Sequence, residues 1–274
     1  MVMLDKGLSI PLNAKLTGSG TETVVLAHGF GADQTMWDKI LPVLSQHFRV
    51  LVFDWGFSGA VKEQEGLFDP VKHSSYEGFA CDLISLLDEL DLKSTVFVGH
   101  SMSGMIGCIA SVKRPDLFER LILLGASPRY LNTDGYEGGF GTAQIDQILL
   151  SIESDYNEWA PNFASLVVHP HDALSVEMFT GCLRRMRPEV ALSLARTVFL
   201  SDHREVLGRV TTPCTIIQTT NDVIVPNSVA HYMRDKIQGK STVEMIEADG
   251  HFPQLTAHLQ LLDVLGGILG FEYD

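Results

Sequence analysis

Strand-like and helix-like segments alternate along the first half of the chain, and this alternation constrains the fold more than any other feature. Val24 to Ala27 is a short apolar run suited to a buried strand, and the segment around Trp37 to Leu44 follows with helical spacing. Val50 to Phe53 and then Tyr76 to Leu90 repeat the pair. The strand Thr95 to Val98, a helix after Ser101 and the strand Leu121 to Leu124 carry the rhythm on. Such a rhythm predicts an α/β fold, a mostly parallel central sheet with helices on both faces. In that architecture functional side chains gather at the carboxyl ends of the strands.

After Ser127-Pro128 the rhythm stops and four helical patterns follow with hardly a strand between them. Ile145, Ile148, Leu149 and Ile152 share a face, as do Trp159, Phe163, Leu166 and Val167, then Phe179, Cys182, Leu183 and Met186, then Val190, Ala191, Leu194 and Val198. Strand and helix patterns resume with Cys214 to Gln218, Ser228 to Lys236, Val243 to Ile246 and a final apolar helix from about Leu255. One sheet interrupted once fits better than two independent domains. The expected division is a core of residues 1–129 and 201–274, with a helical cap, 130–200, inserted in it.

Charge narrows the function. A formal charge of -14 repels phosphate backbones and anionic membranes, so neither nucleic acid nor a membrane surface is an expected partner. The opening M-V-M-L-D-K-G lacks the apolar stretch of a secretory signal, and no apolar run reaches the roughly 18 residues of a spanning helix. An intracellular, soluble protein is expected. Cys81, Cys108, Cys182 and Cys214 match neither C-x-x-C nor a zinc spacing, which reads as reduced core thiols, with no metal and no cofactor.

The stretch V-F-V-G-H-S-M-S-G-M-I-G, Val96 to Gly107, joins a buried strand to a helix of small residues, with Ser101 at the seam. A serine hydroxyl is a weak nucleophile unless a base lies within hydrogen-bond reach and a third group holds that base in the right tautomer. A tight strand-to-helix elbow needs small residues two before and two after the serine. Gly99 and Ser103 supply them, giving G-x-S-x-S where G-x-S-x-G is usual. Asp222 follows the strand ending I-I-Q-T-T-N, and His251 lies in E-A-D-G-H-F-P-Q after the strand V-E-M-I, so nucleophile, acid and histidine occur in the order of α/β-hydrolases. Donors for a developing oxyanion are the amide of Met102, at the start of the elbow helix, and that of Phe30 in L-A-H-G-F-G.

Each residue alone has a plainer explanation. A serine that begins a helix is most often a cap, an aspartate after a strand a turn residue, and a lone histidine structural. The conjunction, in order and at strand ends, favours a serine hydrolase. Asp54 precedes the nucleophile and reads as a turn stabiliser, and Asp249 as a loop residue. His169 to Asp172, H-P-H-D, reads as a polar turn ending in an N-cap rather than a metal site, and Arg184, Arg185 and Arg187 as a solvated face.

Over nearly its whole length the chain resembles one family, the strigolactone and karrikin receptor hydrolases of plants, the karrikin-receptor branch in particular. Bacterial stress-regulator hydrolases are more distant relatives. The family's G-H-G-F-G-x-D-Q is matched by A-H-G-F-G-A-D-Q, its G-H-S-V-S-A-M-I-G by G-H-S-M-S-G-M-I-G, and its A-S-P-R-Y by Ala126 to Tyr130. R-P-D-L-F, M-R-P-x-x-A-L-S and D-G-H-x-P-Q-L are also present, and G-x-S-x-S is normal there. The resemblance implies a triad of Ser101, Asp222 and His251, an oxyanion site at Phe30 and Met102, and a V-shaped four-helix cap. It implies an apolar pocket lined by Phe30, Tyr130, Trp159, Phe163, Phe179, Phe199 and Val223. It further implies a small apolar butenolide ligand, slow hydrolysis, and a fragment that the triad histidine can retain. The expected partners are a leucine-rich-repeat F-box protein of a ubiquitin ligase and its repressor substrates, met in the cytoplasm and nucleus. The segment Asp54 to Pro70 departs from the family pattern in being longer and more acidic. Pro161 should strain or re-angle the second cap helix unless it falls in the first turn. The competing functions are a metabolic esterase or carbon–carbon hydrolase with another apolar substrate, and a ligand-binding signalling protein whose chemistry is incidental.

Overall fold

In the computed structural model, which describes residues 7–62, 64–169 and 171–273, the alternation of side chains along each strand sets the two faces of the sheet. Val24, Leu26, Val96, Val98, Ile122 and Leu124 enter one buried apolar layer. Val25, Ala27, Phe97, Leu121 and Leu123 enter the other. This is the period of two that a pleated strand imposes when both faces are covered. The strands are β1 (Lys15–Thr17), β2 (Thr23–Ala27), β3 (Arg49–Val52), β4 (Thr95–His100), β5 (Phe118–Leu124), β6 (Cys214–Asn221) and β7 (Ser241–Asp249). They form one sheet in the order β1-β3-β2-β4-β5-β6-β7, parallel except for β1, which pairs antiparallel with β3. The sequence does not reveal β1, because its three residues are exposed and carry no apolar pattern.

The helices of the first half are α1 (Leu41–His47), α2 (Gln64–Leu67), α3 (Tyr76–Glu89) and α4 (Met102–Lys113). Between β5 and β6 come α5 (Thr142–Ser154), α6 (Tyr156–Val167), α7 (Ala173–Arg185), α8 (Pro188–Leu200) and the short α9 (Arg204–Leu207). The chain closes with α10 (Asn227–Lys236), α11 (Pro253–Thr256) and α12 (His258–Leu269). Leu44 of α1 and Leu261 and Leu265 of α12 fill one apolar layer, while Leu83 of α3, Met105 of α4 and Met233 of α10 fill the other. The final apolar segment is therefore two helices with a break at Ala257, not the single helix its composition predicts.

The four helices α5 to α8 pack on one another, α5 against α6 and α8, and α6 against α7. Asp155 caps α6 by accepting from the Glu158 amide at 3.0 Å, and Asp172 caps α7 through the Ser175 amide at 3.0 Å. Pro161 lies inside α6 and not in its first turn, yet the helix continues to Val167. Having no N–H, it simply leaves the Asn157 carbonyl without its helical donor. Where the chain leaves and re-enters the sheet region, Arg129 pairs with Asp202 at 2.7 Å and the His203 amide donates to the Pro128 carbonyl at 2.8 Å.

Cys108, Cys182 and Cys214 are buried thiols, but Cys81 is exposed, because its position on α3 faces away from the sheet. Among the described residues no helix is long and apolar enough to cross a membrane. The opening segment searched for a signal lies, through residue 6, outside the described residues, as do Pro170 of the H-P-H-D turn and Glu63 of the acidic loop.

Candidate active site

Ser101 sits between β4 and α4 with φ 56° and ψ -123°, a strained backbone for a residue with a side chain, and one that projects the hydroxyl away from both elements. Only a glycine fits at position 99, since a Cβ there would lie 2.6 Å from the Gly104 nitrogen. Ser103 explains its own departure from glycine. Its Oγ donates to the His28 carbonyl at 2.5 Å and accepts from Trp55 Nε1 at 2.9 Å, so the hydroxyl ties the elbow to the loop after β2.

Strand ends bring the partners in. His251, two residues beyond β7, places Nε2 2.9 Å from Ser101 Oγ. Its Nδ1 lies 2.7 Å from Asp222 Oδ2, at the end of β6. A carboxylate only accepts, so Nδ1 carries the proton and the Nε2 lone pair faces the hydroxyl. The Asp222 carboxylate is held in turn by the amides of Ile224 and Val225, at 2.8 and 3.2 Å, and by Gln218 Nε2 at 3.0 Å. The side chains of His251 and Asp222 are only 5% and 1% exposed, which strengthens each contact by excluding water. Gly29 brings the loop after β2 against this site, since a Cβ on it would lie 3.0 Å from Ser101 Cβ. Met102 opens α4, so its amide lacks an intrahelical acceptor.

Over Ser101 lies a narrow cavity, lined by Phe30, Tyr130, Phe163, Phe179, Phe199 and Phe252 together with Val167, Val198, Ile224, His100, Ser101 and His251. Eight of these twelve lining side chains are apolar. Tyr130 is an exception, with its hydroxyl 3.3 Å from Ser101 Oγ, and burial pushes its phenol well above the usual range, which keeps it protonated. Two expected lining residues stand elsewhere. Trp159 stacks behind Phe163, ring centroids 4.7 Å apart, and backs the wall without facing the cavity. Val223 is 52% exposed, because the turn bonded to the Asp222 carboxylate swings it outward and presents Ile224 instead.

The profile of the alpha/beta hydrolase family matches residues 24–264. A karrikin insensitive 2 receptor from Petunia hybrida is 44% identical, covering 93% of this chain and 92% of its own length. A strigolactone esterase from Arabidopsis thaliana is 42% identical, with coverage of 93% and 94%. This chain belongs to the alpha/beta hydrolase family, in the group that holds the karrikin insensitive 2 receptors and strigolactone esterases. Among solved structures, a hydrolase from Oleispira antarctica superposes with a TM-score of 0.92 at 32% identity, covering 97% of both chains.

Elsewhere in this alpha/beta hydrolase the other candidate residues serve the framework. Asp54 is buried and accepts from the Gln34 amide at 2.8 Å and from Asn13 Nδ2 at 2.8 Å, which pins the loop after β2. Asp249 accepts from Asn221 at 2.7 Å and lies 3.1 Å from His169 Nε2. The arginine cluster is not uniformly a solvated face. Arg185 reaches from α7 to the buried Asp33, Nη2 to Oδ2 2.5 Å, and so fastens that helix to the loop that carries Phe30. Burial alone would raise the Asp33 carboxyl, but hydrogen bonds from Thr35 and Arg185 outweigh it and hold the group below its ordinary range. Sequence reasoning did not find His100, Val167, Val198, Ile224 and Phe252 in the lining. Phe252 had a usable signal in its adjacency to His251, and Val198 in the apolar stripe of α8.

Proposed function

We propose that this protein is a receptor for a small, neutral butenolide and also a slow serine hydrolase, with Ser101 as nucleophile, His251 as general base and acid, and Asp222 as the group that orients the imidazole. The observation that carries this reading is the unbroken chain of contacts from Asp222 through His251 to Ser101, at 2.7 and 2.9 Å, beneath an apolar cavity. In the first step the Ser101 oxygen attacks the ligand's ester or lactone carbonyl carbon while its proton passes to His251 Nε2. Charge then develops on the former carbonyl oxygen, and the amides of Phe30 and Met102 are assigned to receive it. Collapse expels the leaving oxygen, which takes the proton back from His251, and Ser101 is left acylated. Water activated by the same imidazole releases it.

A wall with no carboxylate, lysine or arginine in it suits a ligand without formal charge, because a buried unpaired charge is strongly disfavoured. It also gives that ligand few hydrogen bonds beyond those at the reacting carbonyl. Helices α5 to α8, within residues 130–200, act as the cap. By kinship with karrikin receptors and strigolactone esterases, the loaded protein is assigned to signalling through a leucine-rich-repeat F-box protein of a ubiquitin ligase and its repressor substrates, in cytoplasm and nucleus. The test is incubation with a butenolide ester across a stereoisomer panel, followed by intact-protein mass spectrometry and thermal shift. Slow turnover with a ligand-derived adduct at His251, lost in Ser101→Ala, supports the reading. Absence of turnover, adduct and thermal shift together removes it. Fast turnover on simple acyl esters, without ligand-dependent binding of an F-box partner, points instead to a metabolic esterase.

A further inference from the structure

His100 is wholly buried, yet its imidazole has one clear polar purpose. Nε2 lies 2.8 Å from the backbone carbonyl of His251, while Nδ1 has no hydrogen-bond partner among the described residues. A carbonyl only accepts, so Nε2 carries the proton and the ring is neutral; burial pushes its pKa well below the usual imidazole value, in the same sense. An apolar ring would pack in this place, against Trp37 at 6.5 Å and Phe252 at 4.7 Å between centroids, without burying an unpartnered nitrogen. On its other side the His251 peptide is gripped as well, its amide donating to the Val167 carbonyl at the end of α6 at 2.7 Å. The loop bearing His251 is therefore held between the cap and the residue next to the nucleophile.

We propose that His100 is a positioning residue for His251: its Nε2–H fixes the His251 carbonyl, and because His100 and Ser101 are consecutive, this bond sets the imidazole's distance to the Ser101 hydroxyl. The inference rests on the reading of Ser101 and His251 as nucleophile and base. His100 borders the cavity but supplies no reacting atom in this scheme, and it acts through the backbone of the base.

The experiment compares His100→Phe, which keeps a ring and loses the donor, with His100→Gln, whose amide nitrogen can reach the Nε2 position. Ser101→Ala serves as the blank on a butenolide ester. The expected result is a fall in kcat of about 10- to 100-fold for the Phe variant with KM little changed, and substantial recovery in the Gln variant, at comparable melting temperatures. Wild-type kcat in the Phe variant overturns the proposal, as does an equal loss in both variants. Crystal structures of the two variants give a readout independent of turnover. The His251 ring displaced from Ser101 in the Phe variant and in place in the Gln variant supports positioning, and an unmoved ring in the Phe variant overturns it. If the wild type shows no Ser101-dependent turnover, the hydrolase reading fails, and the structures still decide the role of His100.

Discussion

Gly250 gives the sharpest way to perturb the base without touching a reacting group. It has φ +85°, and a Cβ placed on it would lie 1.7 Å from the Val168 carbonyl oxygen. Ordinary contact begins near 3.4 Å, so in Gly250→Ala either the end of α6 or the loop must yield by about 1.7 Å. His251 is the next residue, and it reaches Ser101 at only 2.9 Å. A misplacement of about 1 Å in such a constellation can lower turnover about a hundredfold, so Gly250→Ala should lose about that much kcat or more. Left-handed strain on alanine adds about 1 to 2 kcal/mol of destabilisation, a fall in melting temperature of about 2 to 8 °C. The assay is steady-state hydrolysis of a butenolide ester at a temperature where circular dichroism shows the variant folded. A folded variant with kcat within threefold of wild type would refute the reasoning, since the loop would then have yielded without moving the base.

Gly267, in the last turn of α12, is the opposite case. A Cβ there meets nothing within 4 Å, and Gly267→Ala should stabilise by about 0.5 to 1 kcal/mol, read as a raised urea midpoint with an unchanged slope. Ser103→Ala removes two hydrogen bonds but leaves Trp55 Nε1 still bonded to the His28 carbonyl at 3.0 Å; chemical denaturation should show a loss of about 1 to 2 kcal/mol, with little change in KM. Acid should loosen the neck of the helical insert. The Arg204 guanidinium foremost, with Arg129 adding to it, pushes Asp202 down to about 2. A carboxyl depressed on folding contributes stability that is complete above its unfolded value of about 3.9 and lost as pH falls toward the folded one. Asp202→Asn should therefore flatten the dependence of stability on pH between about 4 and 2, measured by urea unfolding across that window.

What the chain declares in one dimension is what depends on local period. Val24 to Ala27 and Leu121 to Leu124 announce buried strands because both faces of the sheet are covered, and α5 to α8 announce themselves through single apolar stripes. Ser101, Asp222 and His251 could be singled out because each follows a strand, and the parallel sheet brings strand ends together. Depth and phase are another matter. The stripe that carries Trp159 and Phe163 does not say that one ring stacks behind the other. Nor does V-I after Asp222 say which residue turns inward, since two amide bonds to its carboxylate decide that. Contacts between distant segments, such as Arg185 with Asp33 or His100 with the His251 carbonyl, leave no periodic trace at all.

Active-site titration with a fluorophosphonate, which acylating serines attack and ordinary serines do not, tests the central claim most directly. The account predicts one equivalent bound per chain, mapped by peptide mass spectrometry to Ser101, no labelling in Ser101→Ala, and strongly slowed labelling in His251→Ala. Labelling of the wild type no faster than that of Ser101→Ala would contradict it.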